Sequence, residues 1–375
     1  MMESKKTYDF LIVGAGLYGA VCARELADAG FGVLVIDRRD TIGGNCYTGE
    51  ENGVVVHKYG PHIFHTDDED VWRYVAEKVQ IQPAPDYTPI AVSQGEAFNL
   101  PFNMNTFAQL FKIFSPTEAK ERIEAERKAV KGTPRNLEEQ AISLVGTTVF
   151  ERLIKGYTEK QWGKKCSELP PEIIKRLPVR FTYDNTYYND RFIGIPACGW
   201  TPLFERLLEG VEVRLGVDYL KEREKYAEVA KHTIYTGPID EFFGYKLGRL
   251  EYRSLRFETL YFRGDHQGCA VMNWTDRNIR YTRSIEHMHF DRTGKKYESS
   301  VITLEYPIPY KDGNEPYYPI VDERNAALYE SYKELAKEDA TLHFGGRLGL
   351  FQYLDMDDTI VKAKEMVKEL LEKLT

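Results

Sequence analysis

The feature that most constrains this chain is the hexapeptide GAGLYG at residues 14–19, set between an apolar run and a helical stretch. Residues 7–13 read as a buried parallel strand, because the run ends abruptly in glycine. A helix is expected over 17–29, closed by Gly30, and a second strand over 32–36, which makes a βαβ unit. Within it Gly14, Gly16 and Gly19 have the G-x-G-x-x-G spacing of a dinucleotide fingerprint. The first glycine makes the tight turn, the second lets a pyrophosphate reach the helix N-terminus, and the third packs helix on strand. Asp37 ends the second strand, where an acid holds ribose hydroxyls.

The continuation DRRDTIGGN at 37–45 narrows the cofactor. A glycine pair at Gly43 and Gly44 brings the chain close to the nucleotide, as in FAD-binding proteins and unlike simple NAD dehydrogenases, so Arg38, Gly44 and Asn45 join the expected FAD contacts. Near the C-terminus GGR at 345–347 supplies Arg347, and Asp355 with Met356 opens the last helix; both are expected at the flavin, although the same aspartates would serve as plain helix caps. Only one fingerprint is present. A hydride donor therefore binds without a Rossmann unit of its own, or the overall reaction is not redox.

Composition excludes more than it selects. The 375 residues allow two or three domains, and a net charge of -8 argues against a general nucleic-acid or anionic-membrane binder. Five cysteines without a C-x-x-C pair suggest a reducing cytoplasm, neither a disulfide framework nor a zinc ribbon. The polar start MMESKK and the short apolar run after it do not read as a signal peptide, and no apolar stretch approaches the roughly 20 residues that span a bilayer. The 25 tyrosines stand out, each adding a hydroxyl to a rigid ring.

The expected fold class is α/β: a discontinuous Rossmann-like FAD-binding domain, an inserted helical bundle and a mostly antiparallel β-sheet domain. The first takes residues 1–85, 200–246 and 336–375; the second 100–178, with a polar, proline-bearing mobile lid loop at 163–178; the third 86–99, 179–199 and 247–335. Strands are read at 180–183, 256–262 and 300–306, a helix at 67–79 capped by an aspartate or Thr66, and an irregular segment at 54–64. His62 and His65 could be metal ligands but lack a third, so no metal is expected; His287 and His289 are read as one structural face of a strand.

Taken together and in order, YGPHIFHT at 59–66, KGYTEKQW at 155–162, RLPVR at 176–180, LGRLEYRSLRF at 247–257, PYYP at 316–319, and GGRLG at 345–349 through YLDMD at 353–357 resemble the bacterial UDP-galactopyranose mutases over essentially the whole chain. The resemblance implies interconversion of UDP-galactopyranose and UDP-galactofuranose, with N5 of reduced FAD attacking the anomeric carbon and no net redox, which agrees with the missing second fingerprint. It implies Arg176 and Arg283 on the diphosphate, where a planar guanidinium fork suits phosphate oxygens. It implies Tyr157, Tyr187, Tyr318 and Tyr353 around the substrate phosphates, Trp162 with Tyr157 at the uracil, Asn273 at the nucleotide or sugar, and His62 beside the flavin. NAD(P)H as external reductant, a homodimer and a role in cell-wall polysaccharide biosynthesis follow from the same resemblance. An FAD-dependent oxidoreductase of the amine-oxidase type is the alternative; it shares the fingerprint but needs an apolar or amine-binding cavity.

Overall fold

The structure, a computed structural model, describes residues 7–128, 130–174 and 177–374. Its first layer is a five-stranded parallel sheet ordered Glu212–Arg214, Val33–Ile36, Tyr8–Val13, Ala230–Tyr235, Leu342–Phe344. Three separate stretches of chain thus supply one sheet. Phe10, Leu11 and Ile12 on its central strand are fully buried, which requires cover on both faces. On one face lie the helices Leu17–Asp28, Thr201–Leu207 and Met356–Leu374. The last of these buries Met356, Ile360, Ala363, Val367 and Leu370, a single stripe at helical spacing. Tyr219, Tyr226, Tyr235 and Phe242 cover the other face.

A seven-stranded sheet stands apart from the first, ordered Tyr318–Pro319, Tyr252–Arg263, Ser299–Pro309, Arg283–Glu286, Val271–Trp274, Ile90–Ser93, Glu96–Asn99. All its pairings are antiparallel except that of Ile90–Ser93 with Val271–Trp274. Between its outer strands and the segment 163–178 sits a helical group with its own core of Phe107, Ile123, Leu137, Val145 and Phe150. Its helices start on side-chain caps: Asn103 before Met104–Phe111, Ser115 before Pro116–Arg127 and Asn136 before Leu137–Val149. Among the described residues no helix is long and apolar enough to cross a membrane.

Several local expectations change. Within 54–64 only the ends are regular: Val54–His57 pairs with Thr48–Glu51, and Phe64 opens Phe64–Thr66, which pairs with Phe192–Pro196, while residues 58–63 are irregular as expected. These strands are too short to show a period. The helix read at 67–79 is Glu69–Ala76, capped by Asp68, whose carboxylate accepts from the Asp70 and Val71 amides at 2.8 and 3.1 Å. Residues 180–183 form no strand, because the Arg180 guanidinium folds the segment back onto the Thr186 and Tyr188 carbonyls. His287 and His289 lie on the 3-10 turn His287–Phe290, so they do not share a strand face: His287 is buried while His289 meets Asp265 at 3.1 Å. Within 163–178, the turns Cys166–Glu168 and Pro171–Ile174 place Cys166, Leu169 and Ile174 in the helical core. Arg176 lies outside the described residues.

Candidate active site

Backbone approach builds one end of the site. Gly14 has φ +115°, and a Cβ there would stand 2.0 Å from Thr236 Oγ1, while one on Gly19 would stand 2.0 Å from the Gly14 carbonyl. Gly44, at φ +54°, would put its Cβ 2.9 Å from Gly16 Cα. Two chain segments therefore touch backbone to backbone, joined by the Gly43 amide donating to the Ala15 carbonyl at 2.9 Å. Asp37 ties the turn to the strand end, one carboxylate oxygen accepting from the Ala15 amide at 2.7 Å and the other from the Arg39 amide at 2.8 Å. Arg38 pairs with Glu315, and Arg39 donates to Asn45 Oδ1 at 3.0 Å and to Glu315 at 3.2 Å while its guanidinium lies 4.2 Å from the Tyr59 ring centre.

A cavity of about 390 Å³ opens from this cradle, and all the expected cofactor contacts line it: Gly14, Gly16, Gly19, Asp37, Arg38, Gly44, Asn45, His62, Arg347, Asp355 and Met356. His62 hydrogen-bonds the Gly60 carbonyl through Nδ1 at 3.0 Å, so that nitrogen carries the proton and Nε2 is left as an acceptor. Burial, with the cations Arg347 and Arg283 nearby, pulls its pKa down to about 4, and the ring is neutral at neutral pH. His65 turns away to Asp190 and stacks on Tyr188, so the two histidines share no ligand position.

Arg283 forms the centre of the other end. It holds Glu305 in a two-point ion pair, Nε to Oε1 at 3.0 Å and Nη2 to Oε2 at 2.6 Å, and Glu305 is fully buried. Burial disfavours the guanidinium charge, but Glu305 outweighs it and keeps Arg283 firmly cationic. Asn273 and Glu305 are its cross-strand partners on either side, so the three residues form a row on one sheet face. Tyr157, Tyr187, Tyr318 and Tyr353 all interact electrostatically with Arg283. Burial raises the pKa of the first three phenols, with Arg283 opposing it, so they stay neutral donors. Tyr353 is 58% exposed and stacks on Tyr318 with ring centres 6.0 Å apart; Trp162 lies 6.4 Å from the same ring. Arg347 stands 5.6 Å from the Tyr318 ring centre and so links the two ends.

Arg283, Tyr318 and Tyr353 line the cavity itself; Tyr157, Tyr187, Trp162 and Asn273 stand beyond its wall around Arg283. Tyr317 also lines it, but is buried against Phe257. Sequence reasoning missed Arg39, Thr236, Glu305 and Glu315. Arg39 stood in the quoted DRRD segment; the others had no local signal, since their roles come from residues far along the chain.

Comparison with known proteins decides the family. The UDP-galactopyranose mutase family model matches residues 152–353, and a model described as an NAD(P)-binding Rossmann-like domain matches residues 12–77. A probable UDP-galactopyranose mutase from Klebsiella pneumoniae is 44% identical over 97% of this chain and 94% of its own length. The chain belongs to the UDP-galactopyranose mutase family. A dTDP-fucopyranose mutase from Escherichia coli is 40% identical over 95% of this chain and 96% of its own. In fold, a crystal structure of a reduced UDP-galactopyranose mutase superposes with a TM-score of 0.73 at 14% identity, covering 98% of this chain and 96% of the other. Membership of the mutase family carries flavin dependence and isomerase class.

The residues fit that cofactor. The glycine contacts leave backbone where a Cβ would otherwise stand, and the helix Leu17–Asp28 begins without a side-chain cap, so its first N–H groups are open to a pyrophosphate. Beyond that end, Arg283 and the phenols of Tyr157, Tyr187, Tyr318 and Tyr353 gather.

Proposed function

We propose that this chain interconverts UDP-galactopyranose and UDP-galactofuranose on reduced FAD without net redox. The carrying observation is the grouping of four tyrosine hydroxyls around the ion-paired Arg283 at the end of a glycine-built nucleotide cradle. When bound and reduced, the flavin supplies a nucleophile for the anomeric carbon. The chain supplies position and charge. Arg283 and Arg176 take the diphosphate by charge-assisted hydrogen bonds and hold it as a leaving group that must return. Neutral tyrosines donate to its remaining oxygens, Trp162 with Tyr157 packs on the base, and Asn273 reaches the nucleotide or sugar. His62, neutral and hydrogen-bonded at Nδ1, offers an acceptor at the flavin without adding charge. An amine-oxidase-like reading is disfavoured by this polar, cationic end, which suits a diphosphate rather than an apolar amine.

The same reading takes NAD(P)H as external reductant, supported by the single fingerprint, and extends to a cytoplasmic homodimer serving cell-wall polysaccharide synthesis, with the 163–178 loop closing over substrate. Dithionite-reduced, FAD-loaded protein incubated anaerobically with UDP-galactofuranose should yield the pyranose by chromatography. No conversion by a folded, loaded sample overturns the proposal. The fucopyranose relative makes dTDP-fucofuranose the second substrate to assay, and faster turnover of it would reassign the sugar nucleotide.

A further inference from the structure

Lys160 lies between Tyr157 and Trp162 on the helix Lys155–Trp162. Its ammonium donates to four backbone carbonyls, those of Trp274 at 2.7 Å, Asp276 at 3.0 Å, Ile279 at 2.9 Å and Tyr281 at 3.1 Å. Three lie in the turn between the strands Val271–Trp274 and Arg283–Glu286, and Trp274 ends the first of these strands. Asn273 precedes that turn and Arg283 follows it. A lysine with three N–H groups inside a ring of four carbonyl oxygens acts as a bound cation would, drawing both ends of the turn to one point.

The surrounding contacts show that helix and turn meet closely. A Cβ on Gly156 would stand 2.0 Å from the Thr275 carbonyl, so the helix rests on the turn's backbone. Thr282 Oγ1 donates to Gln161 Oε1 at 3.2 Å, Arg277 pairs with Glu159 at 2.5 Å, and Arg253 donates to the Gln161 carbonyl at 2.9 Å. The first two each join one residue of the helix to one of the turn, while Arg253, on the strand Tyr252–Arg263, holds the Lys160 and Gln161 carbonyls. Lys160 instead spans the turn from Trp274 to Tyr281.

We propose that Lys160 is a positioning residue for the nucleotide sugar: its caged ammonium fixes the helix bearing Tyr157 and Trp162 against the strands bearing Asn273 and Arg283. The proposal rests on the mutase reading for the identity of the ligand. The physical consequence is that contacts made from two elements lose their registration together when the cation is removed, because four converging carbonyl dipoles are left without a donor. Arginine does not substitute, since its planar fork cannot converge on one point as an ammonium does.

The test uses full-length, FAD-loaded Lys160→Met. We expect UDP affinity by calorimetry to weaken about tenfold or more, KM to rise in parallel, and kcat to change much less. Amides of residues 275–282 should exchange hydrogen faster, while flavin content and absorption stay as in the parent. Arg277→Ala, which cuts a single exposed tie and leaves the cage, should change KM by less than about twofold. Unchanged exchange at 275–282, unchanged KM, or an equal KM change in Arg277→Ala overturns the proposal. Should Lys160→Met fail to fold, Lys160→Ala supplied with propylammonium takes its place: amine-dependent recovery of UDP affinity supports the cage, and no recovery overturns it. A parent protein that neither binds UDP nor turns over a sugar nucleotide would sink the activity reading, while hydrogen exchange would still decide the cage.

Discussion

The glycine cradle and the arginine–tyrosine face meet at His62 and Arg347 but are built on opposite plans. The cradle works by missing atoms: at Gly14, Gly19 and Gly44 a Cβ would enter occupied space. Its essential parts lie within residues 14–45, so a short βαβ unit assembles them. The face works by added atoms, the guanidinium of Arg283 and hydroxyls from residues 157 to 353, which only distant packing brings together. One end should therefore fail when side chains are introduced, the other when they are removed.

The sharpest break of that comparison is Arg283→Ala. Loss of a preorganised cation at a diphosphate should lower kcat/KM by about a thousandfold, while flavin content read by absorbance is unchanged. A parallel loss of flavin would show the two ends to be one cooperative unit. Glu305→Ala should cost about 3 kcal/mol in chemical denaturation, because it leaves Arg283 as a half-buried cation without its carboxylate. Retained stability would mean that the tyrosines, not Glu305, hold the guanidinium.

Gly44→Ala is the mirror test. Its left-handed backbone and the contact with Gly16 should weaken FAD binding about tenfold, with turnover recovering when excess FAD is supplied. Persistent loss of turnover in saturated protein would place Gly44 in the chemistry as well as in binding.

The last test is a pH dependence. Burial first, then Arg347 and Arg283, hold the His62 pKa at about 4 against an ordinary 6.5. The unfolded chain takes up this proton first on acidification. The stability contribution is therefore full above pH 6.5 and lost as pH falls from 6.5 toward 4. Denaturation of the parent and of His62→Gln should give a parent-minus-variant difference that shrinks by about 3 kcal/mol between neutral pH and the acid end of that window. A difference independent of pH would place a protonated His62 in the fold.

The same contrast explains what could be read from the chain. The strand Tyr8–Val13, the helix Leu17–Asp28 and the glycine turn between them were legible, because glycine spacing and a following acid are consequences of local backbone geometry. The ends of the 54–64 segment were misread because strands of three or four residues, such as Val54–His57, exist only through their partners. Residues 180–183 failed in the other sense: an alternating pattern was present, but Arg180 turned back onto carbonyls of its own loop, and the backbone contacts with Phe102 and Met104 are too few to make a strand. Glu305 carries no motif. Its task depends on the register that sets it opposite Arg283, and register is a property of two strands.

By itself the sequence determined the nucleotide end, because the steric demand of a backbone brought close to a pyrophosphate is written in which residues lack a side chain. The tertiary structure decided the arginine–tyrosine end. Tyr157, Asn273, Arg283, Tyr318 and Tyr353 lie on different elements, and Lys160 grips a turn more than a hundred residues away. Contacts of that kind are stabilised only after the chain has closed its long loops, so no local pattern records them.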